Sequence, residues 1–123
     1  MNTLGQFYKA KIADRSDIIL RKMPERAGES KVEKDLFGWK LYSGKNYIEC
    51  KSGAEARCLK VYFDAGLDEI SVPKDQKYLE SIIDQLEKIK ERIDHIIKIY
   101  VAGVPDRKIR ERVRREVYEE ILK

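Results

Sequence analysis

Between residues 75 and 102 apolar side chains recur at Leu79, Ile82, Leu86, Ile89, Ile93, Ile96 and Tyr100, in steps that alternate three and four. That spacing is the seam of a helix packed along its length. Ile83 and Ile97 broaden the seam into the face that a core-covering helix needs. At about 1.5 Å per residue the helix runs roughly 40 Å, whereas a compact domain of this length is about 35 Å across. The helix therefore either spans the molecule or projects beyond it. Asp75 is its predicted N-cap, and Gly103, Val104 and Pro105 stop it. Asp106 then caps a last helix whose predicted buried stripe is Ile109, Val113, Val117 and Ile121.

Upstream the period changes to two. Phe37, Trp39 and Leu41 alternate with Gly38, Lys40 and Tyr42; residues 43–46 turn the chain, and Ile48 and Cys50 return on one face. The predicted hairpin points Trp39, Leu41, Ile48 and Cys50 inward and Lys40, Tyr42, Tyr47 and Glu49 outward, with Glu49 opposite Lys40. Ser52 and Glu55 have capping-box spacing and open a helix that runs to Ala65, with Ala56, Leu59, Tyr62 and Phe63 inward and Gly66 ending it. Residues 67–72 read as a short strand closed by Pro73. A strand, short helix and strand suggest a crossover, with this strand parallel to one arm of the hairpin. Nearer the N-terminus, 7–12 and 17–23 read as strands about a turn at Asp14, Arg15 and Ser16, forming an N-terminal hairpin. Residues 24–34, with Pro, Gly, Ser and charges, read as a loop and as the most mobile segment.

These elements predict an α+β protein: a small sheet packed against a long helix and a final helix. One domain over 1–123 is expected, divided into an N-terminal region (1–35), a hairpin–helix–strand unit (36–73) and a helical hairpin (75–123).

Composition adds modest constraints. Charged residues make up 39% of the chain, which is thermophile-like in its Lys, Glu and Ile content, and the net charge of +4 is only mildly basic. Cys50 and Cys58 are not in a metal-binding spacing and His95 is the one histidine, so a zinc site is not expected; the cysteines read as buried thiols in a reducing compartment. No apolar run reaches membrane-spanning length, and a cytoplasmic protein without membrane contact is expected. His95 falls on the polar side of the long helix with no nucleophile beside it, and residues 43–45 form a turn rather than a phosphate-binding loop.

The last helix carries the clearest functional signal. Arg107, Lys108, Arg110, Arg112, Arg114 and Arg115 crowd its first half, and Glu116, Glu119 and Glu120 its second. This opposes the helix dipole, which favours anions at the N-terminus and cations at the C-terminus by about 0.3–1 kcal/mol each. Arg107 with Glu111, Arg112 with Glu116 and Arg115 with Glu119 are spaced to offset part of that cost. A polyanion along Arg107, Lys108, Arg110 and Arg114, with Tyr118 at the end of the stripe, would offset more. Lys40, Tyr42, Lys45 and Tyr47 form a secondary candidate surface on the hairpin, where aromatic rings beside lysines suit base stacking.

A second signal lies in Glu49-Cys50-Lys51, an apolar strand ending in Glu-x-Lys and followed by a helix and a strand. With Asp35 upstream, residues 35–72 resemble the core of PD-(D/E)xK nucleases. The resemblance implies that Asp35 and Glu49 hold a divalent metal such as magnesium and that Lys51 orients or activates the attacking water.

Three readings follow. The first is a non-catalytic module, without cofactor, that binds nucleic acid or an acidic protein through its last helix. The second is a metal-dependent nuclease using Asp35, Glu49 and Lys51. The third is a scaffold protein that homodimerises through the seam from Leu79 to Tyr100.

Overall fold

The computed structural model describes residues 3–123; of the N-terminal region, Met1 and Asn2 lie outside them. Its elements in chain order are α1 (Leu4–Lys11), β1 (Ile18–Lys22), β2 (Ser30–Asp35), β3 (Gly38–Ser43), β4 (Asn46–Cys50), α2 (Gly53–Asp64), β5 (Glu69–Pro73), α3 (Gln76–Val101) and α4 (Arg107–Ile121). The fold is α+β, as expected, with two small antiparallel sheets: β1 with β5, and β2-β3-β4.

The hairpin forms in the expected register, with Trp39 opposite Cys50, Lys40 opposite Glu49 and Leu41 opposite Ile48. The inward side chains meet α2. A Cβ on Gly53 would lie 2.9 Å from the Trp39 ring, so the start of α2 sits directly on that indole. Ser52 caps α2 by accepting from the Glu55 amide at 3.1 Å. Ala56, Leu59, Tyr62 and Phe63 are all buried. The helix closes with the Gly66 amide donating to Phe63 O and the Leu67 amide to Tyr62 O, both at 3.0 Å. Gly66 adopts the positive φ of +110° that such a termination favours.

Four expectations are corrected. Residues 7–12 lie largely in helix α1 rather than in a strand. Thr3 and Gln6 form a reciprocal capping box there, with Thr3 Oγ1 accepting from the Gln6 amide at 3.1 Å and Gln6 Oε1 from the Thr3 amide at 3.3 Å. Leu4, Phe7 and Ile12 then fall on one helical face and are fully buried. The partner of β1 is consequently β5, antiparallel, with Ile19 opposite Val72, so β5 is not parallel to an arm of the β3–β4 hairpin. Residues 30–35 form β2, an edge strand templated by β3, with Val32 opposite Leu41. Its exposed charges are the kind that keep an edge from pairing further.

The remaining loop, 24–29, is tied down rather than free. Arg26 donates to the carbonyls of Phe63 and Leu67 at 2.8 and 3.0 Å, and its guanidinium lies 4.0 Å from the Phe63 ring centre. Ser43 Oγ accepts from the Ala27 amide at 3.0 Å, and Asn46 donates to Glu25 O at 3.0 Å.

The main core lies where α1, α2 and the first two-thirds of α3 meet, with the inner face of β2-β3-β4 against α2. Asp75 caps α3 as predicted, accepting from the Tyr78 amide at 3.1 Å. The seam residues Leu79, Ile82, Leu86, Ile89 and Ile93 are buried within the chain. Beyond Ile93 burial continues at Ile97 and Val101, while Ile96, Ile99 and Tyr100 are exposed. Steps of four, as from Ile89 to Ile93, Ile97 and Val101, carry the buried line gradually around the helix. Among the described residues no helix is long and apolar enough to cross a membrane.

Candidate functional site

Asp106 caps α4, its carboxylate accepting from the Lys108 amide at 2.8 Å. The helix is attached by its second half. Val113, Val117, Ile121 and Leu122 are half-buried against the core, and Tyr118 is the one buried α4 residue. Ile109, expected in the buried stripe, is exposed. Tyr118, predicted at the end of the anion-binding stripe, is turned into the contact with α3. Its hydroxyl donates to Asp94 on α3 and its ring lies 5.2 Å from Lys90 Nζ, so it is committed to anchoring α4. Burial first, and the Asp94 carboxylate second, push the Tyr118 hydroxyl above the usual tyrosine range.

Arg107, Lys108, Arg110, Arg112, Arg114 and Arg115 are all exposed. Of the three predicted pairs four residues apart, Arg107–Glu111 forms, at 3.1 Å. Among the described residues Lys108, Arg110, Arg112, Arg114 and Arg115 have no ion-pair partner. The rest of the molecule uses its arginines differently: Arg15 meets Asp17 at 2.8 Å, and Arg57 is held by Glu87 and by Asp84 at 3.0 Å. Arg114 faces a groove shared with Asp64, Lys90, Asp94, Ile97, Lys98 and Tyr118. The helix thus presents an open cationic surface on a firmly seated second half.

The hairpin candidates separate. Lys45 and Tyr47 are exposed, and Tyr42 is half-buried, its ring 5.4 Å from that of Tyr47 as a cross-strand pair. Lys40 is buried, contrary to its predicted outward availability. Its ammonium lies 2.7 Å from Asp35 and 4.8 Å from the Tyr47 ring centre, so neighbouring side chains cover its stem.

The Asp35, Glu49 and Lys51 set is distributed over three places. Asp35 ends β2, where its carboxylate accepts from Lys40 Nζ at 2.7 Å and from the Phe37 amide at 2.8 Å. These bonds, the Lys40 one foremost, hold its carboxyl below the usual range. Glu49 is exposed on β4, with β3 between its strand and that of Asp35. Lys51 is exposed just past β4, its amide donating to Glu55 Oε1 at 3.3 Å. Among the described residues no three His, Cys, Asp or Glu side chains are grouped to hold a metal ion. His95 is exposed on α3.

Sequence reasoning did not find an ion pair beside this set, buried at its Glu55 end and half-buried at Arg21. Glu55 is fully buried, and its Oε1 lies 3.5 Å from Nε of Arg21 on β1. Arg21 also donates to the Glu49 carbonyl, which joins the two sheets across the open edge of β4. Glu55 Oε2 and Arg21 Nε have no hydrogen-bond partner among the described residues. An arginine in a strand is the only sequence signal for this pair, and nothing in the spacing connects positions 21 and 55. Cys50 and Cys58 are nearby. Burial, reinforced by the Glu55 charge, pushes their thiols up to about 11 and about 12.

No protein-family model, curated protein or solved structure matches this chain.

Proposed function

We propose that the chain is a non-catalytic module that binds a polyanion, nucleic acid foremost, along the exposed first half of α4. The supporting observation is the set Lys108, Arg110, Arg112, Arg114 and Arg115, exposed and without ion-pair partners among the described residues. These cations sit at the end of the helix where its dipole opposes them, at a cost of about 0.3–1 kcal/mol each. Phosphates laid along them would reverse that sign, and helix-borne arginines suit phosphate contacts that position a duplex without reading its sequence. Asp106 already occupies the helix N-terminus, so the contribution comes from side chains rather than from free backbone amides.

Fluorescence anisotropy of labelled duplex DNA, titrated without divalent metal at two salt concentrations, tests this reading. Each phosphate contact contributes roughly 0.9 to the slope of log affinity against log salt. Changing both Arg110 and Arg114 to Ala should lower that slope by about 2 and weaken binding similarly for unrelated sequences. Absence of binding at low salt, to DNA and to RNA, would overturn it.

A further inference from the structure

The apex of the β2–β3 hairpin is a two-residue turn, Leu36 and Phe37, closed by the pairing of Asp35 with Gly38. At 98% and 86% exposed, they are the two most exposed large apolar side chains among the described residues. Turn positions ordinarily go to Asn, Asp, Gly, Pro or Ser, so an adjacent leucine and phenylalanine run against turn chemistry. The apex stands clear of the rest of the chain: a Cβ added to Gly38 would meet no atom within 4 Å. It is also braced. The Asp35 carboxylate accepts from the Phe37 amide at 2.8 Å and from Lys40 Nζ at 2.7 Å. The register puts positive charge just behind it. Lys34 lies opposite Trp39, and Lys51 follows Cys50, which lies opposite Trp39 on the other strand. Both lysines are exposed and have no ion-pair partner among the described residues. The carboxylates of the sheet are engaged or set back: Asp35 is bound to Lys40, and Glu33 and Glu49 both stand opposite Lys40, one step further from the apex.

We propose that this apex inserts into the surface of an anionic lipid bilayer, with Leu36 and Phe37 among the acyl chains and Lys34 and Lys51 at the level of the headgroup phosphates. An apolar tip with a cationic collar is complementary to that surface in charge and in layering. The Asp35 carboxylate satisfies the Phe37 amide, so the turn carries that donor into the lipid already paired. A nucleic-acid duplex is a poorer occupant, because a base step must be unstacked to admit an apolar wedge, and two lysines neutralise few phosphates to offset it. Docking of this kind needs no membrane-spanning segment. The site is separate from the α4 cations. Gly53, at the start of α2, sits on Trp39, and Ser52 Oγ donates to Gln76 Oε1 at the start of α3. The apex therefore lies near the start of α3, whereas α4 begins past the end of that 26-residue helix, about 39 Å further along its axis. The proposal is thus independent of polyanion binding by α4.

Co-sedimentation of the full chain with vesicles of phosphatidylcholine, with and without phosphatidylserine, reads the outcome. The native chain should bind the phosphatidylserine vesicles weakly and reversibly. Leu36→Ser with Phe37→Ser should lower that partitioning by about tenfold or more with an unchanged helical signal, because both side chains are exposed. Lys34→Gln and Lys51→Gln should each lower it about fivefold. The loss on changing Leu36 and Phe37 should persist when Arg110 and Arg114 are also changed to Ala, which separates the apex from adsorption through α4. Should the double serine variant lose its fold, Phe37→Trp still decides: its added emission should shift to the blue on vesicles and be quenched by brominated acyl chains. A native chain that does not bind, a folded Leu36→Ser, Phe37→Ser variant that binds as well as the native chain, or a Phe37→Trp chain whose emission neither shifts nor is quenched would each overturn the proposal. Loss of duplex DNA binding in the serine variant, with no vesicle binding by the native chain, would overturn it in favour of a base wedge.

Discussion

Glu55 has two roles set by its position three residues after Ser52. Its amide is the donor that Ser52 caps, and its carboxylate, fully buried, faces Arg21. An ion pair buried at one end does not by itself make a fold stable, because desolvating the charges offsets their attraction. Removing Arg21 is different, since the Glu55 carboxylate is then left fully buried and uncompensated, at a cost of about 3–5 kcal/mol, whereas removing Glu55 leaves an Arg21 side chain that is 23% exposed. Arg21→Ala should therefore lower the urea midpoint by far more than an exposed ion pair, worth about 0–1 kcal/mol, would allow. Replacing both partners by apolar residues, Arg21→Met with Glu55→Leu, should recover most of the loss. A single-variant cost below about 1 kcal/mol would show the pair to be as dispensable as a surface one.

At the scale of the element, the docking of α4 depends on an absent side chain. Gly5 lies within α1, where Gly→Ala ordinarily stabilises by about 0.5–1 kcal/mol. Here a Cβ would lie 2.7 Å from the Leu122 carbonyl oxygen, which is backbone and cannot rotate away. Lys9 Nζ closes the same contact at Lys123 O, at 2.5 Å. Overpacking of this kind costs about 1–3 kcal/mol, which exceeds the propensity gain. Gly5→Ala should destabilise the protein and raise hydrogen exchange in the last turn of α4; a gain in stability would show that this contact does not hold the helix.

The same comparison separates what could be read in the sequence from what could not. The β3–β4 hairpin, α2, α3 and the caps at Ser52, Asp75 and Asp106 were legible because pattern and cap agree locally. In α1 the alternation of Phe7, Lys9 and Lys11 with Tyr8, Ala10 and Ile12 mimics a strand, and the deciding signal is the Thr3–Gln6 box just outside that window. With Val32 as its one large apolar residue, β2 exists because β3 offers it an edge, and no local pattern records that. The cations of α4 were legible as a charge run. The helical position of Tyr118 places it on the stripe, and nothing in that position records that its hydroxyl reaches Asp94 on another helix.

On the scale of the whole molecule, acid and alkali act on different layers. The carboxylates held below their usual range, Asp17 by Arg15 in a turn and Asp35 by Lys40 at the end of β2, lie at the surface, and the stability they contribute is lost only as pH falls through their lowered values. The thiols and phenols held above their usual range are in or against the core. Burial raises Cys58 to about 12 and Cys50 to about 11 from 9.0, and raises Tyr8, Tyr62 and Tyr118 above 10.0. In the unfolded chain these groups lose their protons at ordinary values, and in the folded chain they keep them. Above about pH 9 the unfolded state therefore binds fewer protons than the native state, and the slope of stability against pH turns negative. Cys58 on α2, Tyr62 on α2 and Tyr118 on α4 each press on α1 or α3, so their ionisation opens the interfaces that join the layers rather than one local site. Thermal midpoints should be nearly level from pH 6 to 8 and fall steeply above pH 9, with tyrosinate absorbance and alkylation of Cys58 rising along the unfolding curve rather than ahead of it. Alkylation of Cys58 in a fully folded chain at neutral pH would mean that the interface between α2 and the rest of the core opens without global unfolding, and that the raised thiol does not reflect a sealed interior.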